Sequence, residues 1–232
     1  MAISRLPRGK VNRYYTIGGV KYPSVTTILS VINKPYLTNW KVKLGKEESE
    51  KISGEAADIG LYVHKAIECY NKGKAFPMPE DKEQQQIIRR AVRDYRKWLR
   101  QTGFEPLKSE LIVYSEQYKY AGTLDCVGFT GDSILICDYK TSKAIWPENK
   151  LQLSAYWRAY WEMTGELPDK LWILRFSKVT GRKSEFYEIE ESPYDLFAVF
   201  LNALSLWKYL NGAGVSKKGG SRPNIIMKEG KK

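Results

Sequence analysis

Gly122-Thr-Leu-Asp-Cys-Val-Gly-Phe-Thr-Gly-Asp-Ser-Ile-Leu-Ile-Cys-Asp-Tyr-Lys140 is the stretch on which the fold turns. Two runs rich in β-branched, aromatic and other apolar residues flank Gly131-Asp132, a pair suited to a two-residue primed turn. Such a turn sets Thr130 against Ser133. Counting outward, Cys126 then faces Cys137, Asp125 faces Asp138 and Thr123 faces Lys140. Side chains alternate along a strand, so Asp125, Asp138 and Lys140 share one face and the two cysteines share the other. Directly opposed carboxylates, with Cβ atoms roughly 4.5–5.5 Å apart, repel each other. Within apolar strands they need a cation, and a hard, oxygen-seeking ion such as Mg²⁺ meets that need. Lys140 is near the same spot, suited to hold a water nucleophile or a scissile phosphate. A surface salt-bridge patch is the plain alternative. The apolar flanks at residues 124–127 and 134–137 favour a buried centre.

Strands also fit residues 107–118, completing a three-strand run with 121–130 and 133–139, and residues 171–176 and 184–189, joined around Gly181. Helical signals lie elsewhere. Residues 11–23 form a hairpin around Gly18-Gly19, and Ser24 caps a helix to Ile32. Pro35 starts a short helix around Trp40 and Leu44. Residues 54–70 carry a helical apolar period. A long helix spans 81–101 and closes at Gly103. Further helices cover 149–164 and 193–210. Helices, three strands, helix, two strands, helix is an α/β order, with a mixed sheet flanked by helices and an N-terminal helical region. Residues 1–106 read as the N-terminal hairpin and helical region, 107–211 as the core, and 212–232 as a flexible basic tail, in one structural unit.

The 232 residues are 43% hydrophobic and 28% charged, enough apolar material for a core. The net charge of +12 favours a polyanionic partner, nucleic acid first, because each neutralised phosphate releases counterions. No segment has the ~18 apolar residues of a membrane span. The basic N-terminus lacks the apolar run of a secretory signal. Cys69, Cys126 and Cys137 show no C-x-x-C spacing, which points to a reducing, cytoplasmic setting and against a zinc site or disulfide framework.

Five pieces carry a family resemblance: Ala57-x-x-Gly60-x-x-x-His64, Glu110 on the first core strand, Gly122-x-x-Asp125, Asp138-x-Lys140-Thr141 and Gln152-x-x-x-Tyr156. Together, over roughly residues 23–160, they resemble the RecB-like branch of the PD-(D/E)XK nuclease superfamily. Pro23-Ser-Val-Thr-Thr-Ile-Leu29 is similar to an N-terminal segment of phage-type exonucleases and of the mitochondrial genome maintenance exonuclease. The resemblance implies a restriction-endonuclease-like core and hydrolysis of DNA at ends or single strands, in a bacterial or phage-infected cell, with a helicase or recombination partner. It implies one or two Mg²⁺ or Mn²⁺ ions held by Asp125, Asp138, Glu110, His64 and the Tyr139 carbonyl. It further implies that Asp125, Asp138, Glu110 and Lys140 are catalytic and that Gln152, Tyr156 and Thr141 support the site or touch DNA. Some relatives carry four cysteines for an iron–sulfur cluster. Three cysteines, two on the core face, argue against one here.

Other residues have two readings. Glu68, one turn after His64, either orients the imidazole or is an ordinary solvated charge. Glu116 rivals Glu110 on the same strand. Arg89, Arg93, Arg96, Lys97 and Arg100 line one side of the 81–101 helix, as a nucleic-acid groove or a solvated face. Tyr14, Tyr15, Tyr36 and Trp40 suit base stacking or core packing. Two other functional classes stay open: a structure-specific endonuclease, and a non-catalytic DNA-binding module that partners a helicase.

Overall fold

The computed structural model describes residues 13–212 and the backbone of residues 3–5. The expected basic tail therefore lies, from residue 213 onward, outside the described residues. Two sheets form. The first joins β1 (Ile3–Arg5), β2 (Tyr14–Ile17) and β3 (Val20–Pro23) in that order, all antiparallel. Gly18 and Gly19, at φ +56° and +82°, make its hairpin turn. Tyr15, Ile17 and Tyr22 bury against Ala121, which seats this sheet on the larger one.

The main sheet has the order β4 (Glu105–Ser115), β5 (Tyr120–Thr130), β6 (Ser133–Lys140), β7 (Lys170–Arg175), β8 (Glu185–Glu188). Only β6 and β7 are parallel. Parallel neighbours require a crossover, which α5 (Pro147–Thr164) supplies. The Gly131-Asp132 turn pairs Thr130 with Ser133, and Gly131 takes φ +57°. The expected register runs from there to Cys126 opposite Cys137, both fully buried.

Beyond that pair the expectation fails. Asp125 and Asp138 are not backbone partners, nor are Thr123 and Lys140, because β6 leaves β5 to follow β7. The Tyr139 N–H, which a continued ladder would have used, donates instead to Asp125 Oδ2 at 2.6 Å. Alternation also slips on β5. Leu124 and Val127 both pack under α5, whereas Cys126 packs under α3 (Lys46–Asn71) and α4 (Lys82–Thr102).

One face of the sheet carries α5, α6 (Pro193–Leu210) and the four-residue helix α1 (Val25–Ile28). The other carries α3 and α4, whose Val63, Ile67, Ile88 and Tyr95 pack on Cys126, Cys137 and Tyr139. Helix α4 matches its sequence signals: Asp81 accepts from the Gln84 N–H at 2.7 Å and Gly103 ends the helix at φ +66°. Ser24 caps α1 as expected, but a 3₁₀ turn replaces the helix at Leu29–Val31. Helix α2 (Pro35–Leu44) starts at its proline. Helix α3 begins at Lys46, eight residues before its apolar period, in a polar turn whose Glu47 and Glu48 complement the helix dipole. Strand β1 was not anticipated. Among the described residues, no helix is long and apolar enough to cross a membrane.

Candidate active site

The divergence of β5 from β6 opens a cleft of about 280 Å³, bounded by α3 on one side and α5 on the other. His64, Glu110, Asp125, Asp138, Lys140, Gln152 and Tyr156 all line it. Each arrives from a different constraint. Gly60 lets α3 come close: a Cβ there would sit 3.2 Å from Thr141 Oγ1 on the β6–α5 connection. One turn further, His64 Nδ1 meets Asp125 Oδ1 at 3.1 Å. On the other wall Gly122 has no Cβ, and the Tyr156 ring occupies that space. Helix α5 thus comes down onto β5. Gln152, one turn before Tyr156, donates to Asp138 Oδ1 at 2.9 Å and to the Tyr156 hydroxyl at 3.0 Å. Its Oε1 accepts from Lys140 Nζ at 3.2 Å.

Glu110 reaches the cleft through its backbone. Ser109 pairs with Cys126 and Leu111 with Leu124, and Glu110 between them adopts φ +56°. A non-glycine residue there costs on the order of 1–2 kcal/mol, so the surrounding sheet must hold it. The result is that His64, Glu110 and Asp125 each offer one donor atom, all within 4.8 Å of one another. Asp138, on the same cleft, adds a fourth donor, the third carboxylate. Its carboxylate is 1% exposed, and Oδ2 has no hydrogen bond, though it is in ion-pair contact with Lys140. Three carboxylates and one imidazole, gathered with only one ammonium among them, fit a hard divalent ion.

The electrostatics follow from this crowding. Burial pushes the Asp138 carboxyl up to about 6, with Asp125 adding to it against the pull of Lys140. Burial acts on Asp125 the same way, but His64, Lys140 and the Tyr139 N–H outweigh it and hold that carboxyl below its ordinary value. Burial would lower His64, yet Asp125 raises it overall. Two carboxyls driven apart beside one imidazole form the kind of set that a cation resolves.

Some expected residues sit elsewhere. Glu68 does not orient His64: both its oxygens are taken, by Lys65 at 2.7 Å and Lys72 at 2.6 Å, since it points along α3 away from the cleft. Asp125 holds the imidazole instead. Glu116 lies in the turn after β4, exposed and away from the cleft. The Tyr139 ring is on the opposite face, buried against Tyr95 and Phe176. None of Arg89, Arg93, Arg96, Lys97 and Arg100 lines the cleft, because α4 lies on the far side of α3. Tyr15 is fully buried, with its hydroxyl 2.9 Å from Thr123 Oγ1, and Tyr36 stacks on Trp146 at 4.3 Å. Reading the residues one by one missed Arg13 and Thr26, which also line the cleft. Arg13 is pinned by its backbone, its N–H donating to Thr27 Oγ1 at 2.9 Å and its carbonyl accepting from the Ser24 N–H at 2.9 Å. The two threonines in the otherwise apolar Val25–Ile28 stretch were the available signal.

A five-stranded mixed sheet with helices on both faces, split at its centre by a carboxylate-lined cleft, defines a restriction-endonuclease-like α/β fold. The family model of the PD-(D/E)XK nuclease superfamily matches residues 36–212, and the chain belongs to that superfamily. It is thus a nuclease of a family that works with divalent metal ions. Among solved structures, a candidate exonuclease from Eubacterium rectale is 16% identical, with 68% of this chain and 69% of that one covered and a TM-score of 0.45. A protein named SSO0001 is 13% identical over 78% of this chain and 82% of its own, with a TM-score of 0.38. No curated protein matches the chain.

Proposed function

We propose that the chain is a Mg²⁺- or Mn²⁺-dependent deoxyribonuclease that degrades DNA from ends or single strands. The observation that carries this reading is the convergence of His64, Glu110, Asp125 and Asp138 around one cleft that also holds Lys140. Those four side chains, with the Tyr139 carbonyl, are the residues to hold one or two ions. A divalent ion bound there supplies Lewis-acid polarisation of the phosphate and activation of water at neutral pH.

The chain's own groups do the rest. Lys140 is held at 3.2 Å by Gln152 and paired with Asp138, so its ammonium is positioned before substrate arrives. It orients the attacking water or offsets charge developing on the phosphate oxygens. Gln152 and Tyr156 fix Asp138, and Thr141 spaces the β6–α5 connection from α3. Arg13, at the rim, suits a phosphate contact beside the scissile bond.

Incubation with end-labelled single- and double-stranded DNA and with a closed circle, each in Mg²⁺, Mn²⁺ or EDTA, tests the reading. Linear substrates should shorten with either metal, survive in EDTA, and leave the circle intact. Cutting of the circle would favour a structure-specific endonuclease. No cutting of any substrate would favour a non-catalytic binding module.

A further inference from the structure

The basic side chains of α4 line two neighbouring grooves. Arg89 and Arg96 turn toward α3, where Arg96 lies 5.8 Å from the centre of the Tyr70 ring. Arg90 and Lys97 turn the other way, toward the β7–β8 connection, from which Arg182 and Lys183 approach them, and Arg93 lines both sides. Between these walls lies a groove of about 540 Å³. Five cationic side chains line it against one carboxylate, Asp94, whose oxygens are already engaged by Ser184 Oγ at 2.7 Å and by Arg93 at 3.1 Å. The groove is braced, since the Arg90 guanidinium bonds Thr180 Oγ1 at 3.1 Å and the Lys178 carbonyl at 3.2 Å.

Two chain segments lead from the cleft toward this groove. Strand β6 delivers Asp138 and Lys140 to the cleft, and the connection that leaves it carries Lys143. Strand β7 runs parallel beside it, with Arg175 next to Lys140, and the segment that follows carries Lys178. Burial, and then the charge of Lys143, hold the Lys178 ammonium below its ordinary value. Neither lysine makes an ion pair among the described residues. The carboxyl ends of parallel strands are where open α/β sheets bind ligands. Here they carry two uncompensated cations between Lys140 and the Arg90 brace.

We propose that the groove between α4 and the β7–β8 connection is a second nucleic-acid site, which binds the sugar–phosphate backbone of a strand whose scissile bond lies in the cleft, with Lys143 and Lys178 on the path between. The inference rests on the nuclease reading above and adds where the rest of the strand runs. Recognition is by charge and is indifferent to sequence.

The test compares wild-type protein with Arg182→Glu/Lys183→Glu and, on the opposite wall, Lys97→Glu, all exposed positions outside the cleft. Anisotropy in EDTA across a salt series uses a labelled single strand of about 20 nucleotides, beyond the ~4–16 that a compact groove covers. Each variant should weaken binding and flatten the log–log salt slope by about 0.7 per lost phosphate contact. Cleavage of a substrate of about four nucleotides, too short to leave the cleft, should proceed in Mg²⁺ at the wild-type rate. An unchanged slope with the long strand in both variants would overturn the proposal. So would equal loss on the short substrate, or loss of poly-glutamate binding with DNA binding intact, which would give the groove to an acidic protein. Wild-type protein that handles neither DNA would instead overturn the nuclease reading itself.

Discussion

Gly122 lies beneath the ring of Tyr156, so closely that a Cβ on Gly122 would collide with the aromatic carbons. That contact lets α5 approach β5 and so brings Gln152 to Asp138 and Lys140. Gly122→Ala should destabilise the fold by about 1–3 kcal/mol, the usual range for overpacking a filled core, and reduce cleavage. Tyr156→Phe keeps the ring and removes only the acceptor for Gln152, so it should cost less. Urea titrations of the two variants check the order; Gly122→Ala melting with wild type would contradict the packing.

Gly60 and Thr141 give a prediction with opposite signs for stability and activity. Alanine in place of a helical glycine stabilises by up to ~1 kcal/mol. At Gly60 the new methyl would press on Thr141 Oγ1, one residue beyond Lys140. Gly60→Ala should therefore melt at or above wild type but turn over more slowly, and adding Thr141→Ala should restore part of the rate. Paired melts and cleavage kinetics decide it.

Asp138 makes the metal-free protein pH-sensitive. Its carboxyl is raised to about 6, so the folded state holds this proton more tightly than the unfolded chain does. Its contribution to stability is therefore largest below the ordinary carboxylate range and is lost as pH rises to about 6. His64, also raised, adds loss in the same direction at higher pH. In EDTA, Asp138→Asn should be more stable than wild type at pH 7.5 by about 1–3 kcal/mol and should converge with it near pH 4. Added Mn²⁺ should stabilise wild type and not the variant. Equal pH profiles for the two proteins would contradict this.

Cys126 and Cys137 face each other at the core, both fully buried, and burial pushes the Cys126 thiol up to about 11 and Cys137 upward as well. Both should resist a thiol reagent in the native protein and react once it is unfolded. Mass spectrometry after brief labelling reads this directly, and rapid native labelling at either cysteine would contradict the register.

The turn at Gly131-Asp132 was legible because its residue types dictate loop length, and loop length dictates register as far as Cys126 and Cys137. What followed was not, because strand divergence is decided by β6 pairing with β7, a contact about 35 residues away in sequence. The two aspartates still meet in one cleft, but through a splayed gap and not across a ladder. Glu110 was legible as a residue type. Its positive φ was not, since no local signal marks it. Glu68 kept two readings because helix spacing places it one turn from His64, while Lys65 and Lys72 are equally near and take its carboxylate. Periodicity put the α4 arginines on one side of the helix, and packing sets Arg89 and Arg96 in one groove and Arg90 in another, with Arg93 lining both.

The central claim is that Asp125, Asp138 and Lys140 form one metal-dependent hydrolytic centre. The most direct measurement is the cleavage rate of end-labelled DNA, at saturating DNA and Mg²⁺, for wild type and for Asp125→Ala, Asp138→Ala and Lys140→Ala, each shown by melting to be folded. The account predicts activity in wild type that EDTA abolishes, and a loss of at least ~100-fold in every variant, the scale on which a positioned catalytic group acts. A folded variant at any of the three positions that cleaves at the wild-type rate would contradict it.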